Sequence, residues 1–392
     1  MEKITFVIPS RNNLEFLQLA YKSIRNLKTK HEILVLNDAS IDGTQEWIDN
    51  LNDNDLIVHH NPGPERIGIV GMFDKGIEMA RTEIIFAFHA DMVAAPNLDK
   101  HVLKHLEKGT VVSATRVEPA LHPPGPEKIT MNFHNGKEAE VNTFDHEYFI
   151  DWCNTVALKQ YSQKTTEGIF APWCMYKDDF LAIGGHDELF APQSKEDSDL
   201  FNRFVLNGYK VLQTWEGLVY HFTSRGSRFN KHAGGGAGIN SNEWIYTTTK
   251  NMRNFVRKWG TPVKHDALMK PQILPKYDIG IILQGANIEM LRALEPWCST
   301  VYADCDIMEY ITLEQANTSI DLKDRVKPYD NEKQNQILIE INAEMFNQQD
   351  FQYLNQLPEI LKDSGAIGEF QLGNLKITII ALDTFEQNLI NN

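Results

Sequence analysis

Three hundred and ninety-two residues, 42% hydrophobic and 23% charged, have the composition of an ordinary globular chain and lead one to expect about two to three domains. Disordered and collagen-like chains are excluded. The excess of 53 acidic over 38 basic residues gives a formal charge of -15, which opposes indiscriminate binding to nucleic acid. Residues 1–12 lack the charged-then-apolar layout of a signal peptide, and the apolar runs stay far below the roughly 18 residues of a spanning helix, so a soluble, cytoplasmic protein is expected. Cys153, Cys174, Cys298 and Cys305 contain no CxxC pair, which indicates neither a zinc ribbon nor a disulfide framework and fits a reducing compartment.

The first hundred residues alternate β-rich runs with helical-period runs, the pattern of stacked βαβ units around a mostly parallel sheet. Strands are predicted at 4–9, 32–37, 56–60 and 83–88. Between them lie helices, the first with Leu14, Leu17, Tyr21, Ile24 and Leu27 on one stripe, the others at 44–51 and 67–81. A helix at 97–108 and a strand at 110–117 follow, then HPPGPEK (122–128), whose prolines and glycine break regular structure. Beyond this loop we expect a hairpin turning at Asn135 and Gly136, a helix over 146–160 and a strand over 170–176. From Trp244 an amphipathic helix carries Lys250, Arg253 and Arg257 on a separate stripe. Pro262, Pro271 and Pro275 place a linker at 261–276. A smaller α/β domain is expected over 277–392, with no legible chemistry; docking an acceptor, stabilising the first domain and forming a homo-oligomer are its open roles.

Ligands of open α/β sheets bind where strands end, because loop amides and helix N-termini converge there. Three clusters fall at such ends: PSRN (9–12), NDASIDGT (37–44) and HADM (89–92). Each alone is weak, and the aspartates of the second would serve equally as turn formers or helix caps. Their order and spacing resemble the family 2 glycosyltransferases, α/β enzymes of the GT-A fold, which use nucleotide-sugar donors. The first strand of that family exits in P-T/S-x-N, matched by Pro9, Ser10 and Asn12. The second exits in D-D-x-S-x-D-x-T, matched by Asp38, Ser40, Asp42 and Thr44, with Asn37 in place of the first acid. The resemblance implies a GT-A catalytic domain over 1–260, a nucleobase pocket lined by Ser10 and Arg11, a base contact from Asp38, and Arg66 on the diphosphate.

The family's metal motif, D-x-D, reads His89, Ala90, Asp91 here. One carboxylate suffices to let Mg²⁺ or Mn²⁺ bridge to a diphosphate, and imidazole in place of the other carboxylate tilts the site toward Mn²⁺. A strand-end histidine facing away from any metal is the alternative. Residues 184–203 are similar to G-G-x-D-E followed by E-D-x-D-L-x-x-R, which implies that Asp197 is the general base, tuned upward beside Glu196; an acidic first turn favoured by the helix dipole is the plainer alternative. Asp199 and Arg203, four apart, are expected to pair. His221 is carried over as a third metal ligand. Trp173 and Trp215 suit a sugar face or a core equally.

The resemblance therefore implies an inverting, metal-assisted hexosyltransferase that moves a sugar from a nucleoside-diphosphate donor, a UDP-sugar by expectation, to an acceptor hydroxyl on a glycan, lipid-linked glycan, protein or modified nucleic acid. Donor contacts are expected from Pro9, Ser10, Arg11, Asn12, Asp38, Arg66 and Ala90, and acceptor contacts from Trp173 and Glu196. Residues 224–276 hold ten Lys or Arg and two acids, so +8 here leaves -23 elsewhere. That band keeps open a polyanionic acceptor such as hydroxymethylated DNA bases. The missing first acid keeps open a non-catalytic nucleotide-sugar binding module.

Overall fold

The computed structural model describes residues 2–136 and 139–385. The chain forms two compact units, Met1–Thr248 with His265–Pro271, and Thr249–Lys264 with Gln272–Asn392. The first unit begins as a βα alternation: β1 (Ile4–Ser10), α1 (Leu14–Arg25), β2 (Glu32–Asp38), α2 (Thr44–Asp49), β3 (Leu56–Asn61), α3 (Ile69–Met79) and β4 (Ile84–Ala87). It continues with β5 (Met92–Ala94), α4 (Leu98–Leu103), β6 (Thr110–Glu118), β7 (Ile129–Thr130), α5 (His146–Trp152), α6 (Leu158–Gln160), β8 (Thr165–Thr166), β9 (Trp173–Tyr176), α7 (Lys177–Ala182), α8 (Glu196–Leu206), β10 (Lys210–His221) and α9 (Asn242–Trp259).

The strands stand in the order β3-β2-β1-β4-β9-β6-β10-β5, with β7 beside β6 and β8 beside β10. β9 runs against both β4 and β6, so β6 and its parallel neighbour β10 point the same way as β1, β2 and β4. With β3 parallel to β2, six strands therefore end at one edge, and antiparallel β5 starts there, since Met92 pairs with His221. Period-2 alternation divides the core between the two faces. Phe6, Ile8, Ile33 and Val35 pack under α1, α2 and α4, while Val7, Leu34 and Leu36 pack with Met72, Phe73, Leu200 and Phe204 of α3 and α8. The expected hairpin at Asn135 and Gly136 is instead a bend flanked by a single bridge from His134 to Phe144.

The second unit holds β11 (Ile279–Gln284), α10 (Ile288–Leu294), β12 (Thr300–Ala303), α11 (Ile307–Glu314), α12 (Leu322–Arg325), β13 (Val326–Pro328), β14 (Ile337–Asn342), α13 (Gln348–Ser364), β15 (Gly368–Leu372) and β16 (Leu375–Ile379), in the sheet order β13-β12-β11-β14-β16-β15. Asn287, Asp306, Asp321 and Asn347 cap α10 to α13 with their side chains, which satisfies amides that a helix start leaves without partners. The boundary expected at 260 falls earlier, within α9. Residues from Thr249 group with the second unit because Arg257 binds Glu295 at 2.7 Å and Glu314 at 2.6 Å, and Arg253 binds Glu314 at 3.0 Å. Part of the expected linker, His265–Pro271, belongs to the first unit: Ile169 donates to the Met269 carbonyl, and Lys270 pairs with Glu167.

Candidate active site

The edge where the parallel strands end carries a cleft lined by Pro9, Ser10, Arg11, Asn13, Asp38, Arg66, Gly68, His89, Ala90, Asp91, Gln193 and Ser224 to Ser227 without Arg225. Its β2 side is built by hydrogen bonds from short polar side chains to backbone. The Asp38 carboxylate accepts from Asn61 Nδ2 (2.7 Å), Ile67 N (2.9 Å) and Gly68 N (2.8 Å), which fixes the turn that presents Arg66. Asn12, at φ 49°, accepts from Ile41 N at 2.7 Å and donates its own amide to Ser40 Oγ. Asp42 accepts from Leu14 N, at the start of α1, and from Thr44. Asn12 and Asp42 thus tie the two exits together and border the neighbouring hollow. Gly68, at φ 92°, allows a close approach: a Cβ there would lie 2.4 Å from the Pro192 carbonyl, which accepts from Ile69 N. This contact brings the segment before α8 to the cleft.

The β5–β10 pairing delivers Asp91 beside His221, and the β6–β10 register places Glu118 next to the same histidine, one residue beyond the Tyr220–Val117 pair. His221 Nε2 lies 3.6 Å from Asp91 Oδ2, and its Nδ1 lies 2.8 Å from Glu118 Oε1. Ligand atoms of His89, Asp91 and His221 all fall within 4.8 Å of one another. Donors held at about 2.0–2.2 Å from one ion lie up to about 4.4 Å apart, so this set fits a divalent cation after shifts of a few tenths of an ångström. Burial holds the His89 imidazole down at about 4 against the pull of Asp91, leaving a neutral ring with a lone pair to offer. Burial alone would raise Asp91, but the His221 charge and the Arg225 amide (2.6 Å) hold it at about 2. Burial likewise opposes charge on His221, yet Asp91 and Glu118 outweigh it and raise its pKa to about 9, so a cation binding here displaces the Nε2 proton.

Positive charge at the cleft comes from Arg11 and Arg66, both of which meet Glu243 at the start of α9, at 3.4 Å and 2.7 Å. Burial, then the balance of Glu243 against Arg11, leaves Arg66 below the usual guanidinium range. Ser10 Oγ, Arg11 Nε, Asn13 Nδ2 and Glu196 Oε2 are sealed from solvent without a hydrogen-bond partner. Three of those four atoms belong to residues lining the cleft. Asp197 accepts from Ser198 N and Oγ in the first turn of α8, and its charge is a minor pull on the His89 ring; neither Asp197 nor Glu196 is among the residues lining the cleft. Burial and then the Asp197 charge push Glu196 up to about 8.

The expected Asp199–Arg203 pair is present at 2.9 Å, fully buried, with Arg203 also donating to the carbonyls of Ile183 and Gly185. Trp173, expected at the acceptor, is a correction: it is 3% exposed and packs against Phe180 and Phe204 inside the core. Trp215 is also buried, donating to Thr166 Oγ1. The basic band is largely consumed inside each unit. Arg225 and Lys231 pair with Glu140, Lys270 with Glu167, Arg253 and Arg257 with Glu295 and Glu314, and Lys264 with Glu359. It therefore lends no support to a polyanionic acceptor. Sequence reading missed Asn13, Gly68, Glu118, Gln193 and Glu243. Only Glu118, at the end of a strand ending at this edge, carried a signal that position alone would have exposed.

A cleft carrying histidine and carboxylate at the carboxyl edge of an open α/β sheet stands where ligands of such sheets bind. Residues 5–165 match the family model described as glycosyl transferase family 2. Undecaprenyl-phosphate mannosyltransferase from Micrococcus luteus is 26% identical over 121 residues, 30% of this chain and 49% of that protein, so the chain spans about half the length of this curated relative. Among solved structures, GalNAc-T7 with UDP, GalNAc and Mn2+ aligns at 11% identity over 66% of this chain and 51% of the other, with a TM-score of 0.45. The mannosyltransferase PcManGT from Pyrobaculum calidifontis with GDP-Man and Mn2+ aligns at 17% identity over 56% of each chain, with a TM-score of 0.38. Among the described residues no helix is long and apolar enough to cross a membrane.

Proposed function

We propose that the protein moves a sugar from a nucleoside-diphosphate donor, a UDP-sugar in the first instance, to an acceptor hydroxyl with inversion at the anomeric carbon. The observation that carries this reading is the cleft itself, where the His89–Asp91–His221 set adjoins the unpartnered polar atoms of Ser10, Arg11 and Asn13. Buried polar atoms without partners are costly unless a polar ligand satisfies them. His89, Asp91 and His221 would hold a divalent cation, Mn²⁺ ahead of Mg²⁺ for a set with two imidazoles, which would supply positive charge against a departing diphosphate. Arg11 and Arg66 take phosphate oxygens in exchange for Glu243. Pro9, Ser10, Asn12 and Ala90 shape the nucleoside wall, and Asp38 holds the Arg66 turn. Asp197 accepts the hydroxyl proton as the acceptor oxygen bonds to the anomeric carbon; the bond from that carbon to phosphate oxygen breaks, and its electron pair leaves with the diphosphate. Glu196, kept largely neutral, borders the acceptor.

The relatives' names put mannose and N-acetylgalactosamine, on GDP and UDP, first among donors to try. Asp197→Asn is expected to keep donor binding and to slow turnover about 10²- to 10⁴-fold. Unchanged turnover removes the base assignment. Chelator is expected to abolish transfer and Mn²⁺ to restore it; full activity in excess chelator removes the cation.

A further inference from the structure

We infer that Glu118 is a positioning residue for the cation site, holding His221 Nδ1–H so that Nε2 is the nitrogen presented toward Asp91 and His89. The inference rests on the reading of that cleft as a metal site and deepens it. A carboxylate only accepts, so at 2.8 Å the shared hydrogen sits on His221 Nδ1. The far nitrogen, Nε2, lies 3.6 Å from Asp91 Oδ2. A neutral imidazole left to itself places its proton on either nitrogen, and a proton on Nε2 blocks ligation.

The surroundings of Glu118 are built to keep it ionised and still. It is 1% exposed, Arg116 Nη1 donates to Oε1 at 3.0 Å, and Lys128 Nζ donates to Oε2 at 3.0 Å. Arg116 also reaches Glu127. Two acids and two bases thus balance in one buried cluster before His221 is counted, so the carboxylate does not depend on an imidazolium for its compensating charge. Lys128 and Glu127 close the HPPGPEK loop, which gives that proline-rich segment a place in the same network. Partners of this kind, accepting from the far ring nitrogen of a ligating histidine, fix its tautomer and orientation, and losing one costs about 10- to 100-fold in metal affinity.

The test is a titration of the full chain with manganese alone, followed by the electron paramagnetic resonance signal of free Mn²⁺, beside a melting curve for each variant. Glu118→Ala is expected to weaken Mn²⁺ binding about 10- to 100-fold, and Glu118→Gln, which keeps the shape and one accepting oxygen, by less. Asp99→Asn, which weakens the buried His31–Asp99 pair in another part of the sheet, is expected to lower Tm while leaving Mn²⁺ affinity at the wild-type value; this separates general destabilisation from positioning. Wild-type affinity in both Glu118 variants overturns the inference. Should Glu118→Ala fail to fold, Glu118→Gln decides, and unchanged affinity there overturns it equally. A wild-type chain that binds no Mn²⁺ instead removes the metal from the proposed function, and this inference falls with it.

Discussion

Glu196 shows how one side chain combines stability and chemistry. Its Oε2 is sealed from solvent without a partner, and burial, reinforced by the adjacent Asp197, raises its pKa from 4.5 to about 8. Below pH 4.5 the folded and unfolded chains both carry this proton. Between 4.5 and about 8 the folded chain keeps it while the unfolded chain releases it, so folding is progressively less favoured as pH rises through that window, and the full penalty stands above it. Glu196→Gln removes the charge that burial disfavours. The variant is therefore expected to melt with wild type at pH 4.5 and to gain a few °C at pH 8, roughly the shift that about 1 kcal/mol gives a unit of this size. Equal shifts at both pH values, read by calorimetry, would exclude ionisation as the cause. The cleft at the strand ends shows why residue roles are harder to read than residue positions. Asp38, Asn12 and Asp42 stand where the strand-exit motifs place them, yet their oxygens are occupied by backbone amides of the turns they shape.

At the level of elements, the first half of the sheet was legible because its signal is local. β1 to β4 and α1 to α3 each carry a period of 2 or 3.6, and their expected limits fall within about two residues of the observed ones. The other half of the site was not legible, since β10 joins β6 about a hundred residues earlier in the chain, and Trp215 to Gly217 bulge out of the register between Thr214 and Leu218. That pairing, which no local period encodes, sets His221 beside Glu118, and the β5–β10 pairing sets it beside Asp91. α9 is a second case. Its basic stripe could by sequence meet an anionic ligand, the acidic C-terminal region or solvent; Arg257 is 1% exposed and is held by Glu295 and Glu314, with Arg325 on the same Glu295. Burial and the opposing pull of Glu295 leave Arg257 firmly charged. Removing one member of a buried ion pair strands the other, at a cost of about 3–5 kcal/mol. Arg257→Ala is expected to lower the denaturant midpoint of the second unit accordingly, with Glu295→Gln,Arg257→Met recovering part of the loss; a lone Arg257→Ala with an unshifted midpoint would make the network ornamental.

Over the whole molecule the charge is -15, and the positively charged stretch 224–276 pairs most of its cations with acids of their own unit. What remains for an anionic substrate is local: Arg11 and Arg66 at the cleft, already half-neutralised by Glu243. A donor diphosphate needs only that local pair, whereas a nucleic-acid acceptor needs a track of cations that displaces counterions. Each neutralised phosphate steepens the salt dependence of duplex binding by about 0.9 in log–log slope. With most cations of 224–276 paired among the described residues, hydroxymethylated duplex DNA is expected to show no binding that falls with salt, while donor binding falls by no more than the shallow slope of one or two exposed ion pairs. Titrating both ligands across a salt series measures this directly. A duplex slope of several units would show that the cations counted here as internal are released to meet a polyanion, and would return modified nucleic acid to the front rank of acceptors.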